Sequence, residues 1–356
     1  MKNKICRVLS LFLLFMSLNG CSQQKYKIAY TVYPVGFLAE SLSSDIVTAE
    51  SIQSNTIVQR AAVKDNFEEI LENSAVFLHI GQLEPYMTMY ASKFNSLASS
   101  RIDLSSMNAV YDFQRYTQVV TDGEVTYVES PYYRGTEFAL VDTDDKDLYL
   151  WTDPIAMLSM AKDIRDWLLT AYPDDAAVIS ERYTILENEL INLDAQYQAI
   201  ATSNEKNNKV IRFVSMTPSF GNWQKTYGFQ VYPIILSKYG ALPNEQQLAL
   251  IEKRIQDDGV KYIVYEPNMT RDMIELFNRV EDDLSLTRVE LSNLSSLTES
   301  EEAAGKDYLS VMYENLTVLE TMVEDRPTVT VAEQESVQEE EMPAPTSLED
   351  LIETKD

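Results

Sequence analysis

Tyr149-Leu150-Trp151-Thr152-Asp153-Pro154 divides the chain into two halves of one kind. After Asp153-Pro154, the apolar residues Ile155, Leu158, Met160, Ile164, Trp167 and Leu168 mark an amphipathic helix. Pro173 interrupts it, and Asp174 caps a longer helix carrying Val178, Tyr183, Leu186, Leu190, Leu193 and Tyr197 to about Ala201. Strand-like and helix-like segments alternate on both sides of this bridge. Two βα lobes with a cleft between them are therefore expected, and Tyr149 ends the first half beside that cleft.

Working back towards the N-terminus, Lys27–Val32 reads as a strand and Val35–Leu42 as a helix. Ile46–Ile52 is a second strand candidate. A short helix begins at Asp65, and Ala75–Ile80 is an apolar run suited to a buried parallel strand. Gly81-Gln82-Leu83-Glu84-Pro85 turns into a helix through Leu97. Val110–Asp147 is polar, acidic and rich in tyrosine, and its Asp122-Gly123 turn signal predicts a loop or β-hairpin along the cleft. Working forward, strands are expected at Val210–Ser215, Val231–Leu236, Val260–Tyr265 and Thr287–Leu291. Helices are expected at Phe220–Tyr227 with Gly228 as C-cap, Asn244–Asp257, Met273–Asp282 and Tyr308–Met322.

The ends are of another kind. Residues 1–20 combine a basic start (Lys2, Lys4, Arg7) with an apolar run too short to span a bilayer, and read as a signal peptide. Leu18-Asn19-Gly20-Cys21 resembles a bacterial lipobox, which makes Cys21 the expected lipidation site and the membrane anchor. From 324 to 356 the chain is acidic, with no apolar period, and reads as a disordered tail. The resulting division is 1–20 signal peptide, 21–172 N-terminal lobe, 173–203 linking helix, 204–323 C-terminal lobe and 324–356 tail.

The net charge of −27 disfavours nucleic acid as a partner. The two cysteines, Cys6 and Cys21, leave no thiolate or disulfide to the mature lobes. A single histidine, His79, lies in the apolar run Val76–Ile80 and reads as a core or strand-end residue. There is no Ser-His-Asp set, nucleophile elbow, phosphate loop or HExxH, so an enzyme is not expected.

Tyr149–Pro154, the helix after it and the Pro173-Asp174 break resemble the metal-type substrate-binding lipoproteins of ABC importers, a zinc and manganese family that includes streptococcal adhesin lipoproteins. Thr31-Val32-Tyr33-Pro34, Gly81-Gln82-Leu83-Glu84, Phe220-Gly221 with Tyr227-Gly228, Tyr265-Glu266-Pro267-Asn268, and Tyr308 with Asn315 follow in the family's order, from about Lys25 to Val323. The resemblance implies an α/β fold of two lobes with small, mostly parallel sheets joined by a long rigid helix. It also implies an ABC permease as partner and a monomer. Its metal would be held by three histidines and one carboxylate. Those positions correspond to Gln59, Tyr149, Thr217 and Ser292, none of which is an expected ligand.

The cleft is therefore expected to be atypical, with no metal ligand and no cofactor. Trp151, Tyr132, Tyr133, Glu266 and Glu290 are its expected neighbours. A neutral polar site flanked by aromatic rings suits a small organic ligand or a metal chelate. Two alternatives stand beside it: zinc or manganese held by other oxygen ligands such as Glu266, Glu290 or the acids of 142–147, and a surface adhesion protein that keeps the scaffold.

Overall fold

The computed structural model describes residues 27–326, apart from 55, 98–99 and 122–123. The stretch read as a signal peptide, Cys21 and the residues beyond 326 read as a tail lie outside the described residues. The first lobe is built on β1 (Lys27–Tyr30), β2 (Ala49–Ser51), β3 (Ser74–His79) and β4 (Arg101–Asp103), in the order β2-β1-β3-β4 and all parallel. The continuous apolar character of β3 is the mark of a strand buried on both faces. One face is covered by α1 (Tyr33–Ser43), through Val35, Leu38 and Leu42. The other is covered by α2 (Phe67–Glu72), α3 (Pro85–Met89) and α4 (Ala91–Leu97), whose rings surround Phe94.

The second lobe centres on β7 (Lys209–Ser215). Strands β8 (Gln230–Pro233) and β9 (Tyr262–Tyr265) pair with it in parallel, and β10 (Thr287–Glu290) pairs in parallel with β9. One short strand, β11 (Val323–Asp325), runs antiparallel to β7. Helices α7 (Asn222–Tyr227), α8 (Glu245–Asp257), α9 (Arg271–Leu284), α10 (Glu299–Ala303) and α11 (Tyr308–Thr321) complete it. Gly228 ends α7 at φ 69°, a left-handed conformation that favours glycine.

The bridge consists of α5 (Pro154–Ala171), one tight turn at Pro173–Asp175, and α6 (Ala176–Lys206). Asp153 caps α5 by accepting from the Ile155 and Ala156 amides. α6 is 31 residues long, about 46 Å at 1.5 Å per residue. Ile179, Tyr183, Leu186, Leu190, Leu193 and Tyr197 form its buried stripe, which packs on α5, on α1 of the first lobe and on β7 and α11 of the second.

Several boundaries differ from the sequence reading. The strand expected over Ile46–Ile52 is only Ala49–Ser51, because Ile46 and Val47 are spent in the turn closing α1. The helix expected to run through Leu97 breaks at Tyr90 into α3 and α4. The strand expected over Val231–Leu236 ends at Pro233, a residue with no amide to extend the ladder. Residues 324–326, the first of the stretch read as tail, are part of the fold. Glu324, on β11, is buried and paired with Arg212 at 2.8 Å.

The tyrosine-rich segment does form a hairpin, β5 (Arg115–Thr121) with β6 (Glu124–Ser130). It does not simply follow the cleft; it docks on the C-terminal lobe. Arg115 is buried there, donating to Asp258 at 3.0 Å, Gln230 at 2.9 Å and Tyr232 at 2.7 Å. Tyr132, Tyr133 and Phe138 then join the core around Val214, Tyr232 and Ile251.

Candidate functional site

The C-terminal ends of the strands in each lobe face one another, the usual place for a ligand in an open α/β sheet. Thr31 follows β1, Gln59 follows β2, Glu84 follows β3, and Tyr149 precedes α5. From the other lobe come Thr217 after β7, Glu266 after β9, and Ser292 with Asn293 after β10.

On the C-terminal side every polar group is spoken for. Glu266 is fully buried and accepts from the Met216 amide at 2.7 Å, the Thr217 amide at 2.8 Å and the Asn293 side chain at 2.8 Å. The Thr217 hydroxyl donates to it as well. Burial raises the Glu266 pKa, and these donors pull it back. Ser292 is clamped by Asn315, which accepts from its amide at 2.9 Å and donates to its carbonyl at 2.8 Å. The Ser292 hydroxyl accepts from the Leu294 amide at 3.2 Å. Thr217 and Ser292 thus serve the loops that carry them.

The N-terminal side is different. The two carboxylate oxygens of Glu84, the hydroxyls of Thr31 and Tyr149, and the amide nitrogen of Gln59 are buried with no hydrogen-bond partner. Burial drives the Glu84 carboxyl up to about 7, against a smaller downward pull from the Thr31 hydroxyl. Burial likewise raises Tyr149 well above the usual tyrosine range, helped by the negative charges of Asp144, Asp147, Glu266 and Glu84. Asp147 is itself pushed to about 7 by burial. It accepts from the Tyr149 amide at 3.1 Å and the Asn222 side chain at 3.0 Å. Its Oδ2 sits so close to the Gly221 backbone that a Cβ there would approach it to 2.1 Å, which is why glycine occupies that position.

Hydrogen bonds join the two sides directly. The Trp151 indole donates to the Asn293 carbonyl at 2.8 Å, Trp223 to the Thr152 carbonyl at 2.8 Å, and the Tyr308 hydroxyl to the Trp151 carbonyl at 2.7 Å. Arg60, next to Gln59, reaches across to the Gly240 carbonyl at 2.7 and 3.0 Å, to Thr270 at 3.0 Å and to Asp272 at 2.9 Å.

Of the residues expected at the cleft, Tyr149, Trp151 and Glu266 lie in this junction. The Tyr149 and Trp151 rings pack against each other at 5.3 Å between centroids, tilted by 58°. Tyr132 reaches it through Asp147 and Gln224, from which its hydroxyl accepts at 2.9 Å. Tyr133 turns into the C-terminal core beside Phe138. Glu290 is exposed on β10, where the alternation of the strand turns it outward. His79 ends β3 with Nδ1 at 2.9 Å from the Gly81 carbonyl and Nε2 at 3.2 Å from Arg101. Among the described residues, no group of three or more His, Cys, Asp or Glu is arranged to hold a metal ion. Thr31, Glu84 and Arg60 were not singled out from the sequence as site residues, and Asp147 was included only among the acids of 142–147. An acid followed by Pro85 after an apolar strand, and a base beside Gln59, were the available signals.

The family profile described as "ZnuA: Zinc-uptake complex component A periplasmic" matches residues 28–322. The "Zinc-binding protein AdcA" of Streptococcus pyogenes serotype M6 is 30% identical over 173 residues, 49% of this chain and 32% of that protein. The "Zinc-binding lipoprotein AdcA" of Streptococcus pneumoniae R6 is 26% identical over 174 residues, 49% of this chain and 33% of that protein. The match therefore spans about a third of the length of these relatives. Two solved structures share the fold. The Zn(II)-bound ZnuA-like domain of Streptococcus pneumoniae AdcA superposes with a TM-score of 0.61 at 20% identity, covering 84% of this chain and 98% of that one. The laminin-binding protein Lmb of Streptococcus agalactiae superposes with a TM-score of 0.63 at 17% identity, covering 83% and 98%. Among the described residues, no helix is long and apolar enough to cross a membrane.

Proposed function

Because the chain belongs to the family of zinc-uptake complex component A, periplasmic, we propose that it is a lipid-anchored, extracytoplasmic solute-binding protein of an ABC importer whose cleft no longer takes the family's bare metal ion. The observation that carries this reading is the donor set. Gln59, Tyr149, Thr217 and Ser292 present amide and hydroxyl groups, all are buried, and Thr217 and Ser292 are already engaged within their own lobe. Zinc asks for imidazole, thiolate or carboxylate, and neutral oxygens do not compete with chelators for it.

The partner implied is an ABC permease, and Cys21 would carry the lipid; Cys21→Ala is expected to release the protein or leave its precursor unprocessed. The deciding experiment is titration calorimetry of the protein with Zn²⁺ and Mn²⁺ in a competing chelator. No stoichiometric binding is expected. A submicromolar site for either ion would overturn the reading. Tyr149→His, Thr217→His, Ser292→Asp and Gln59→His introduced together are expected to create zinc binding.

A further inference from the structure

We propose that the outer edge of β6 is a self-association surface, on which a second copy of this chain adds its own β6 antiparallel about a two-fold axis. The hairpin β5–β6 holds seven cross-strand pairs in one unbroken register. Along such a ribbon the backbone groups alternate between facing the neighbouring strand and facing outward. The Tyr116 amide donates to the Gln224 side chain at 3.3 Å, and the Gln118 carbonyl accepts from Arg326 at 3.3 Å. Tyr116 and Gln118 are therefore outward positions, and so are Glu129 and Tyr127, which stand opposite them. Gln224 and Arg326 seal the β5 edge. On the β6 edge, among the described residues, nothing bonds to the backbone of Tyr127 or Glu129, and β6 pairs with no strand but β5.

This edge also lacks the usual guards. Exposed edges are blunted by proline, by a bulge or by a charge pointing along the line of approach. β6 has no proline and no bulge. Between Thr126 and Ser130 its one charged side chain is Glu129, which turns to the α7 face of the hairpin. There it pairs with Lys225 at 3.3 Å and accepts from Gln114 at 2.9 Å. The opposite face carries Thr126 and Val128, both exposed, Val128 to 41%. In a chain with 56 acidic residues, this stretch can meet a copy of itself without setting like charges opposite each other.

The strand is its own complement. A two-fold axis at Tyr127 makes it and the partner's Tyr127 the pair that exchanges N–H···O bonds. Thr126 then stands opposite the partner's Val128, and Val128 opposite the partner's Thr126. The hairpin already makes such pairs internally, Thr117 with Val128 and Val119 with Thr126. Cross-strand pairs of β-branched residues stabilise a sheet. The two hairpins form one antiparallel sheet that closes on itself, because each copy offers a single open edge. The contact is short, so the association belongs with weak interfaces below about 1,200 Å². It departs from the monomer that the family resemblance implies, and it is independent of what the cleft binds.

The test uses the full chain in a Cys6→Ser, Cys21→Ser background. Thr126→Cys and Val128→Cys are made separately, then oxidised with diamide alone and mixed. The proposed register brings these two positions within about 4.5 Å between Cα atoms, inside the range a disulfide spans. The mixture is therefore expected to give a linked dimer several-fold faster than either variant alone. In sedimentation, the average mass of the cysteine-free chain should rise at concentrations on the order of 0.1 mM. Added salt should strengthen the association, since it screens the net charge of −27. Thr126→Lys with Val128→Lys sets like charges opposite and should weaken it at least tenfold. Mixing that variant with Thr126→Glu, Val128→Glu should restore it. A constant monomer mass, no preference for the mixed cysteine pair, or undiminished association of the lysine variant would each overturn the proposal. A chain that stays monomeric but captures a strand of another protein would overturn it too.

Discussion

Glu84 and Asp147 are carboxylates that folding removes from water, and both titrate near pH 7 for that reason. Their folded pKa values lie above the unfolded ones, so the native state holds extra protons between about pH 4 and 7. The associated stability is complete below the unfolded values and is lost as pH rises through 7. Between pH 6.5 and 8 the stability is therefore expected to fall by on the order of 1 kcal/mol per group, read as a lower melting temperature. Glu84→Gln should flatten part of that slope and melt above the native protein at pH 8; a profile that Glu84→Gln leaves unchanged would show that Glu84 is ionised and solvated. His79, whose pKa burial lowers, acts in the opposite sense only below about 6.5, outside this window. Gly221→Ala is a separate prediction at the same scale. Its Cβ has no room beside Asp147, so the variant should lose stability sharply in a denaturant melt. The sequence pointed to Tyr149 by its place in a motif, but it held no sign that Glu84 lacks a donor. Partnership is a property of three dimensions, and no periodicity encodes it.

Among the elements, the helices were the most legible. The stripe of α6 recurs at steps of three and four residues, and the structure buries Tyr183, Leu186, Leu190, Leu193 and Tyr197 as that spacing requires, whereas Val178 is exposed and Ile179 is buried in its place. The short edge strands were legible only in outline. β2 spans three half-buried residues, and turn geometry rather than apolar pattern sets its ends. The hairpin β5–β6 was legible as a hairpin but not as part of the C-terminal core, because Arg115 meets Asp258 across 143 residues of sequence. That guanidinium is enclosed, so Asp258→Asn should destabilise the protein by about 3 kcal/mol, measurable by urea unfolding. The short helical turn Val58–Arg60 carries the contact between lobes made by Arg60. Its carboxylate partner Asp272 is half exposed, so the ion pair contributes little to global stability. What it restrains is the approach of the lobes. Arg60→Ala should leave the melting temperature within a degree or two, yet speed amide hydrogen exchange around Met216, Thr217 and Asn293. Unchanged exchange there would show that the tryptophan and tyrosine bonds alone hold the junction.

For the molecule as a whole, two lobes around a long helix followed from the order of segments, and the two sheets and the superposed solved structures agree with that architecture. The part played by Glu324 was less legible, since it looks like the first of many acids. In the structure it pairs with Arg212, both nearly enclosed. Ending the chain after Arg326 should therefore leave melting nearly unchanged, whereas ending it after Val323 strands Arg212 and should lower the melting temperature by on the order of 5 °C. A large drop in the first variant would show that the acidic segment packs on a lobe. The docking of Tyr132, Tyr133 and the hairpin on the second lobe has a consequence for how this polypeptide can be divided. Chain order and spatial order disagree: residues synthesised before the bridge complete a core whose sheet is synthesised after it. During translation, the first lobe must carry that apolar patch uncovered until β7 to β9 emerge. A gene cut between 172 and 173 would thus encode two fragments that each precipitate alone and reconstitute only when expressed together, the behaviour sought in a split reporter.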